Sequence, residues 1–215
     1  MQFGFSFEGA PLAFDTTTYR IASGNRIRIA DIQYFVSDPV FVDRDGRRHG
    51  FSKESNRIHY VDSDLPATWK WEPDEDLDAA VYDYVEFVYG LDSAYNRSGK
   101  FLDAPESLMF WPESMGGGYH HLKINGWYAE TDADTVFYPF GFHAGNVSNA
   151  VPLRDTLRIF LVDGLVRNLE FDMDVARWFK NPHVWDFGKF GGSVMQDEEA
   201  QRVIRENARD VFSIK

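Results

Sequence analysis

The chain has 215 residues, 16% of them aromatic, no cysteine, and a formal charge of −12 from 34 acidic against 22 basic side chains. That length buries one substantial core without cross-links, and the lack of cysteine removes disulfides, thiolate metal sites and cysteine nucleophiles together. The acidic balance, with Lys and Arg nowhere gathered on one face, argues against nucleic acid and anionic lipid as partners, and no apolar run approaches the roughly 20 residues of a membrane span.

The chain enters directly into alternation. In QFGFSFEG, Phe3, Phe5 and Phe7 fall on one side and Gln2, Gly4, Ser6 and Glu8 on the other, the period of two that sets three rings on one sheet face. Arg26 to Ala30 alternates again, IQYFVSDPVFV runs into the turn signal Asp45-Gly46, and a further strand is predicted at His59 to Asp62. Residues 64–78, rich in Pro, Asp and Glu and carrying Trp69 and Trp71, read as a structured surface excursion. VYDYVEFVYGLD has aromatics on both faces and reads as a central strand. Residues 91–99, LDSAYNRSG, place Asp92 and Asn96 in a spacing unlike a calcium loop, so a turn capped by its own side chains is expected.

MFWPESMGGGYHHLKINGWY, residues 109–128, reads as a loop feeding a strand from Tyr119. TVFYPFGFHAG and TLRIFLVDG continue the strand pattern, and Asp163-Gly164 marks another turn. In LVRNLEFDMDVARWF, Leu169, Phe171, Met173 and Val175 alternate with Glu170, Asp172 and Asp174. Only the tail changes period. From Asp197, Ala200, Val203, Ile204, Ala208, Val211 and Phe212 follow helical spacing behind an acidic first turn. The expectation is one mostly β domain over residues 1–215, an antiparallel two-sheet β-sandwich with long loops and a C-terminal amphipathic helix over about residues 197–212.

Six histidines, at positions 49, 59, 120, 121, 143 and 183, supply the imidazole donors. Adjacent residues of a strand point to opposite faces, so at most one of His120 and His121 joins a given site. Simple alternation puts His121 with Tyr119 and Lys123, and His120 with Leu122 and Ile124. His143 stands at an aromatic strand end before Gly145 and Asn146, where a loop-lined pocket can hold a side chain. No Gly-x-Ser-x-Gly elbow, His-Glu-x-x-His pair or phosphate loop is present, and Gly116 to Gly118 lacks the following Lys and helix that a phosphate cradle needs. Asp172 and Asp174 read as a strand's solvent face rather than a glycosidase pair. No nucleophile and base can be paired, so no enzyme is expected.

The order of these segments, from the N-terminal aromatic strand through LMFWPESMGGGYHHLKINGWY and FYPFGFHAG to FDMDVARWF and GGSVMQDEEAQRVIRENARDVFSI, resembles the MbnP-like family over nearly the whole chain. These are exported β-sandwich proteins associated with copper, some encoded beside methanobactin genes and many others being lipoproteins. Met109, Trp111, Gly118 and Tyr119 match its Met-x-Trp segment leading to Gly-Tyr, and Phe142, His143 and Gly145 match its Phe-His-x-Gly. The resemblance implies a periplasmic or cell-surface protein with a mononuclear copper site of two histidines. It also implies a tryptophan oxidised to kynurenine by a di-haem peroxidase-like partner. His143 is then the first ligand candidate and Trp111 the tryptophan. Many relatives carry His-Ser-Val-Met before the last helix, where this chain has Gly192-Ser193-Val194-Met195, so His121 or His183 is expected to supply the second ligand. The competing expectation is an exported binding or adhesion module without metal, whose Trp69, Trp71 and Trp127 lie exposed and co-planar in one groove for a glycan or protein partner.

Overall fold

The structure, a computed structural model, describes residues 1–215, the Val147 side chain excepted. Its strands are β1 (Gln2–Phe7), β2 (Ala10–Pro11), β3 (Tyr19–Arg20), β4 (Arg26–Asp43), β5 (Arg48–Gly50), β6 (Ile58–Asp62), β7 (Ala80–Tyr89), β8 (His120–Ala129), β9 (Tyr138–Gly145), β10 (Val151–Leu161), β11 (Glu170–Asp174) and β12 (Phe212–Ile214). Its helices are α1 (Val175–Trp178), α2 (Phe187–Phe190) and α3 (Glu198–Asn207).

The strands form two sheets, as expected for a sandwich. The larger runs β10-β7-β4-β8-β9, with β3, β5 and β6 also paired to the long β4, and the smaller runs β12-β11-β1-β2. Pairing is antiparallel except for β1 beside β11, which run parallel. The alternating rings of β1 make the interface between the sheets. Phe3 packs on Phe171 within its own sheet and edge-on to Tyr34 of β4, while Phe87 of β7 meets Phe171 and Phe212 from across the core. Phe3, Phe5 and Phe7 are all buried, each contributing on the order of 2 kcal/mol by its removal from water.

Both Asp-Gly signals form turns, with different outcomes. Asp45-Gly46 joins β4 to β5, with Gly46 at φ +79°. The turn at Asp163-Gly164 instead carries the chain from β10 in the large sheet to β11 in the small one. The run FDMDVARWF is strand only as far as Asp174, whose carboxylate accepts the Ala176 N–H and starts α1. Asp197 likewise caps α3, accepting the Ala200 N–H at 2.9 Å, and Ala200, Val203 and Ile204 are buried beneath the helix. The helix stops at Asn207, short of the predicted 212, because a 3₁₀ turn redirects the tail and Phe212 pairs with Met173 as β12. No helix among the described residues is long and apolar enough to cross a membrane.

Candidate functional site

Two β-bulges decide what faces what near the end of the large sheet. On β8, His120 pairs with Gly145 and Leu122 with Ala144, so two residues of β8 oppose one of β9. The extra residue is His121. A bulge of this kind re-aims side chains, and here it returns His120 to the face carrying Lys123, the cross-strand partner of His143. The His120 and His143 rings lie 5.3 Å apart, nearly perpendicular at 86°. On β4 a second irregularity between Ile29 and Asp31 brings Asp31 opposite Asn125.

Trp111 completes the group. Its ring meets His120 edge-on at 4.8 Å, its indole N–H donates to the Met115 carbonyl at 3.0 Å, and it is 2% exposed. Gly145 makes room for it, since a methyl group there would run into the benzenoid ring. The glycine triplet holds the approach: Gly116, Gly117 and Gly118 all have positive φ, and any side chain at them would strike Asn146, Glu113 or Asn96. The triplet is therefore a packed turn, not a flexible loop. Trp111 also lines a polar cavity of about 590 Å³ together with Met115, Met195, Gln201 and Arg202.

The hydrogen bonds fix how each imidazole presents itself. His120 Nδ1–H donates to the Met109 carbonyl at 2.9 Å, which leaves the Nε2 lone pair free. That Nε2 is buried and has no hydrogen-bond partner among the described residues, a state that is costly unless something occupies it. His143 Nε2 lies 2.8 Å from Asn125 Oδ1, and Asn125 Nδ2 donates to Asp31 Oδ1 at 2.8 Å. Burial pushes both imidazoles below their usual range, His120 to about 4 and His143 to about 3, the latter helped by repulsion from His120 and Lys123. Both are neutral at pH 7. Burial also raises the Asp31 carboxyl and lowers the Lys123 ammonium, which donates to the Leu108 carbonyl at 2.7 Å.

Of the residues predicted from sequence, His143 and Trp111 share this site and His121 and His183 lie elsewhere. His121 is fully buried on the other side of the bulge, accepting the Leu91 N–H at Nδ1 and donating from Nε2 to the Asn146 carbonyl at 2.6 Å, so neither nitrogen has a free lone pair. His183 is bound to Glu206 of α3, and its backbone N–H donates to Asn207. The second histidine beside His143 is His120, which strict alternation assigns to the opposite face; nothing in the local sequence signals the bulge. Position 192, where the family resemblance leads to the expectation of a histidine, has no room for a side chain, because a Cβ there would sit 2.5 Å from the Pro139 carbonyl oxygen. Among the described residues no cluster of three or more His, Asp or Glu could hold a metal.

Two neutral imidazoles, one with an orphaned buried nitrogen, nevertheless fit a metal that accepts few nitrogen donors. The aromatic groove does not form in the predicted way. Trp71 is buried and stacked on His59 at 5.0 Å, and Trp69 packs edge-on against Phe5 with its indole N–H on the Asp62 carbonyl. Trp127 alone of the three is exposed. Asp92 caps its own turn through the Ala94 N–H, as expected, and Asn96 Oδ1 is taken by the Tyr119 N–H.

Comparison with known proteins agrees with this architecture. The chain superposes on the structure of MbnP from Methylosinus trichosporium with a TM-score of 0.56 and 12% identity, covering 99% of this chain and 96% of that one. At that identity the likeness speaks for the fold alone. No curated protein sequence matches. The family model of MbnP matches residues 1–196, and the chain therefore belongs to the MbnP family.

Proposed function

We propose that this protein is an exported, non-catalytic copper-binding protein whose metal is held by His120 and His143 beside Trp111. The observation that carries the reading is the buried His120 Nε2 without a partner, on a ring whose centroid lies 5.3 Å from that of a second neutral imidazole. Imidazole nitrogen suits copper, and a bound ion would satisfy the orphaned lone pair. The ion would be the cargo or resident of the site; the chain's contribution is to keep both rings neutral, oriented and out of water. Trp111 seals the site and is, on this reading, the ring that a di-haem peroxidase-like partner would oxidise. The intact mass of protein isolated from its native cells reads that modification.

The test is calorimetric titration of purified protein with copper, alongside His120→Ala and His143→Ala. One ion per chain is expected, with affinity reduced at least 10-fold in each variant and unchanged in His183→Ala. Equal, weak binding by the wild type and both variants would sink the reading.

A further inference from the structure

The hydrogen-bond chain behind His143 carries a consequence for how that ring meets a metal. A carboxylate only accepts hydrogen bonds, so Asp31 compels Asn125 to turn its NH₂ group toward β4. The Asn125 carbonyl oxygen must then face β9, and the His143 nitrogen 2.8 Å from it must carry the proton. Gly141 permits the contact. It is the cross-strand partner of Asn125, and the His143 ring leans over it closely enough that a Cβ there would stand 3.1 Å from Nε2. The order of groups thus resolves what an isolated amide or imidazole leaves ambiguous.

We propose that Asp31 and Asn125 are positioning residues that lock His143 as the Nε2–H tautomer, so that a metal meets it only through Nδ1. His120 is locked in the opposite sense by the Met109 carbonyl and offers Nε2. The pair therefore presents one nitrogen of each kind, with orientation set by β4 and the 109–115 loop rather than by the ligands themselves. Outer partners of this type orient metal-binding histidines and tune their basicity. The inference rests on the metal-binding reading, but its first test needs no metal.

In ¹⁵N-labelled, metal-free protein, long-range ¹⁵N–¹H correlation distinguishes the two histidine tautomers. The wild type should show His143 as Nε2–H. In Asp31→Asn the amide at position 31 can donate as well as accept, Asn125 can turn over, and the Nδ1–H form of His143 should appear. The swapped pair, Asp31→Asn with Asn125→Asp, restores an acceptor toward β9 and should return the ring to Nε2–H, which a variant damaged only in folding would not do. A wild-type ring found as Nδ1–H, or a tautomer unchanged in a folded Asp31→Asn protein, would overturn the proposal. Silver(I), a redox-inert probe, supplies the second reading. Its affinity should fall on the order of 10-fold or more in Asp31→Asn and recover in the swapped pair; equal affinity in all three proteins would remove the positioning role. If the wild type binds neither silver nor copper, the function proposed above fails while the tautomer result still stands or falls by itself.

Discussion

At the scale of single residues, the site depends on where side chains are missing as much as on where they are present. Gly145 sits beneath Trp111, which stands against His120, so one added methyl group has a defined path of damage. Gly145→Ala should move the indole off His120 and cost about 1–3 kcal/mol as an overpacked contact. Tryptophan fluorescence of the folded variant and its denaturation midpoint read the two effects. An unchanged spectrum with unchanged stability would mean that Trp111 has room the structure does not show. His143 was legible from the sequence because it ends an aromatic strand before Gly145 and Asn146. His120 was not, because its neighbour His121 has the same chemistry and only the bulge decides which of the two shares the face of His143. One histidine keeps a free buried lone pair, and the other spends both nitrogens on backbone groups.

At the scale of elements, the tail is part of the fold although the family model ends at residue 196. Gln201 of α3 donates to the His143 carbonyl at 2.6 Å and accepts from Asn149, which in turn donates to the Gly145 carbonyl. The helix thereby braces the strand that carries His143. β12 adds a strand to the small sheet beside β11, and Phe212 packs on Tyr34, Phe87 and Tyr89. Truncation after Gln196 should therefore abolish cooperative thermal unfolding and the near-ultraviolet circular dichroism of packed aromatics. A truncated chain that melts sharply at the wild-type temperature would show that α3 and β12 merely decorate the sandwich. The amphipathic period announced the helix, since Ala200, Val203 and Ile204 repeat at the helical interval. Its end at Asn207 was hidden, because the Asn207 side chain donates to carbonyls of Trp178 and His183, which are distant in sequence.

At the scale of the whole molecule, neutral histidines buried in an aromatic core make stability depend on acid. His59 is sandwiched between Phe3 and Trp71, its Nε2–H donates to the Thr68 carbonyl, and burial lowers it to about 4. The unfolded chain takes up this proton near the ordinary value of 6.5, before the folded chain can. The contribution is therefore fully present above pH 6.5, declines as pH falls, and is exhausted near pH 4. Its size is on the order of 3 kcal/mol. In metal-free protein, denaturant midpoints should drop between pH 6.5 and 4, and His59→Phe, which keeps an aromatic ring between Phe3 and Trp71, should flatten that slope. An identical slope in the variant would place the acid sensitivity elsewhere.

The sequence by itself determined the fold class. Period-two alternation of bulky apolar side chains in β1, β7 and β11 requires a buried sheet face, and the change to helical spacing after Asp197 requires a surface helix. It also marked the turns at Asp45-Gly46 and Asp163-Gly164 and set His143 at an aromatic strand end, because these depend on neighbours a few positions away; Trp111 was singled out only by the resemblance of its segment to the MbnP-like family. Only the tertiary structure decided the parallel pairing of β1 with β11, the passage from β10 into the other sheet, and the choice of His120 as the partner of His143. The first two are matters of how distant strands associate, and the last turns on register. A single extra residue in a strand exchanges its faces, and that residue is fixed by contacts between strands far apart in the chain rather than by any local preference.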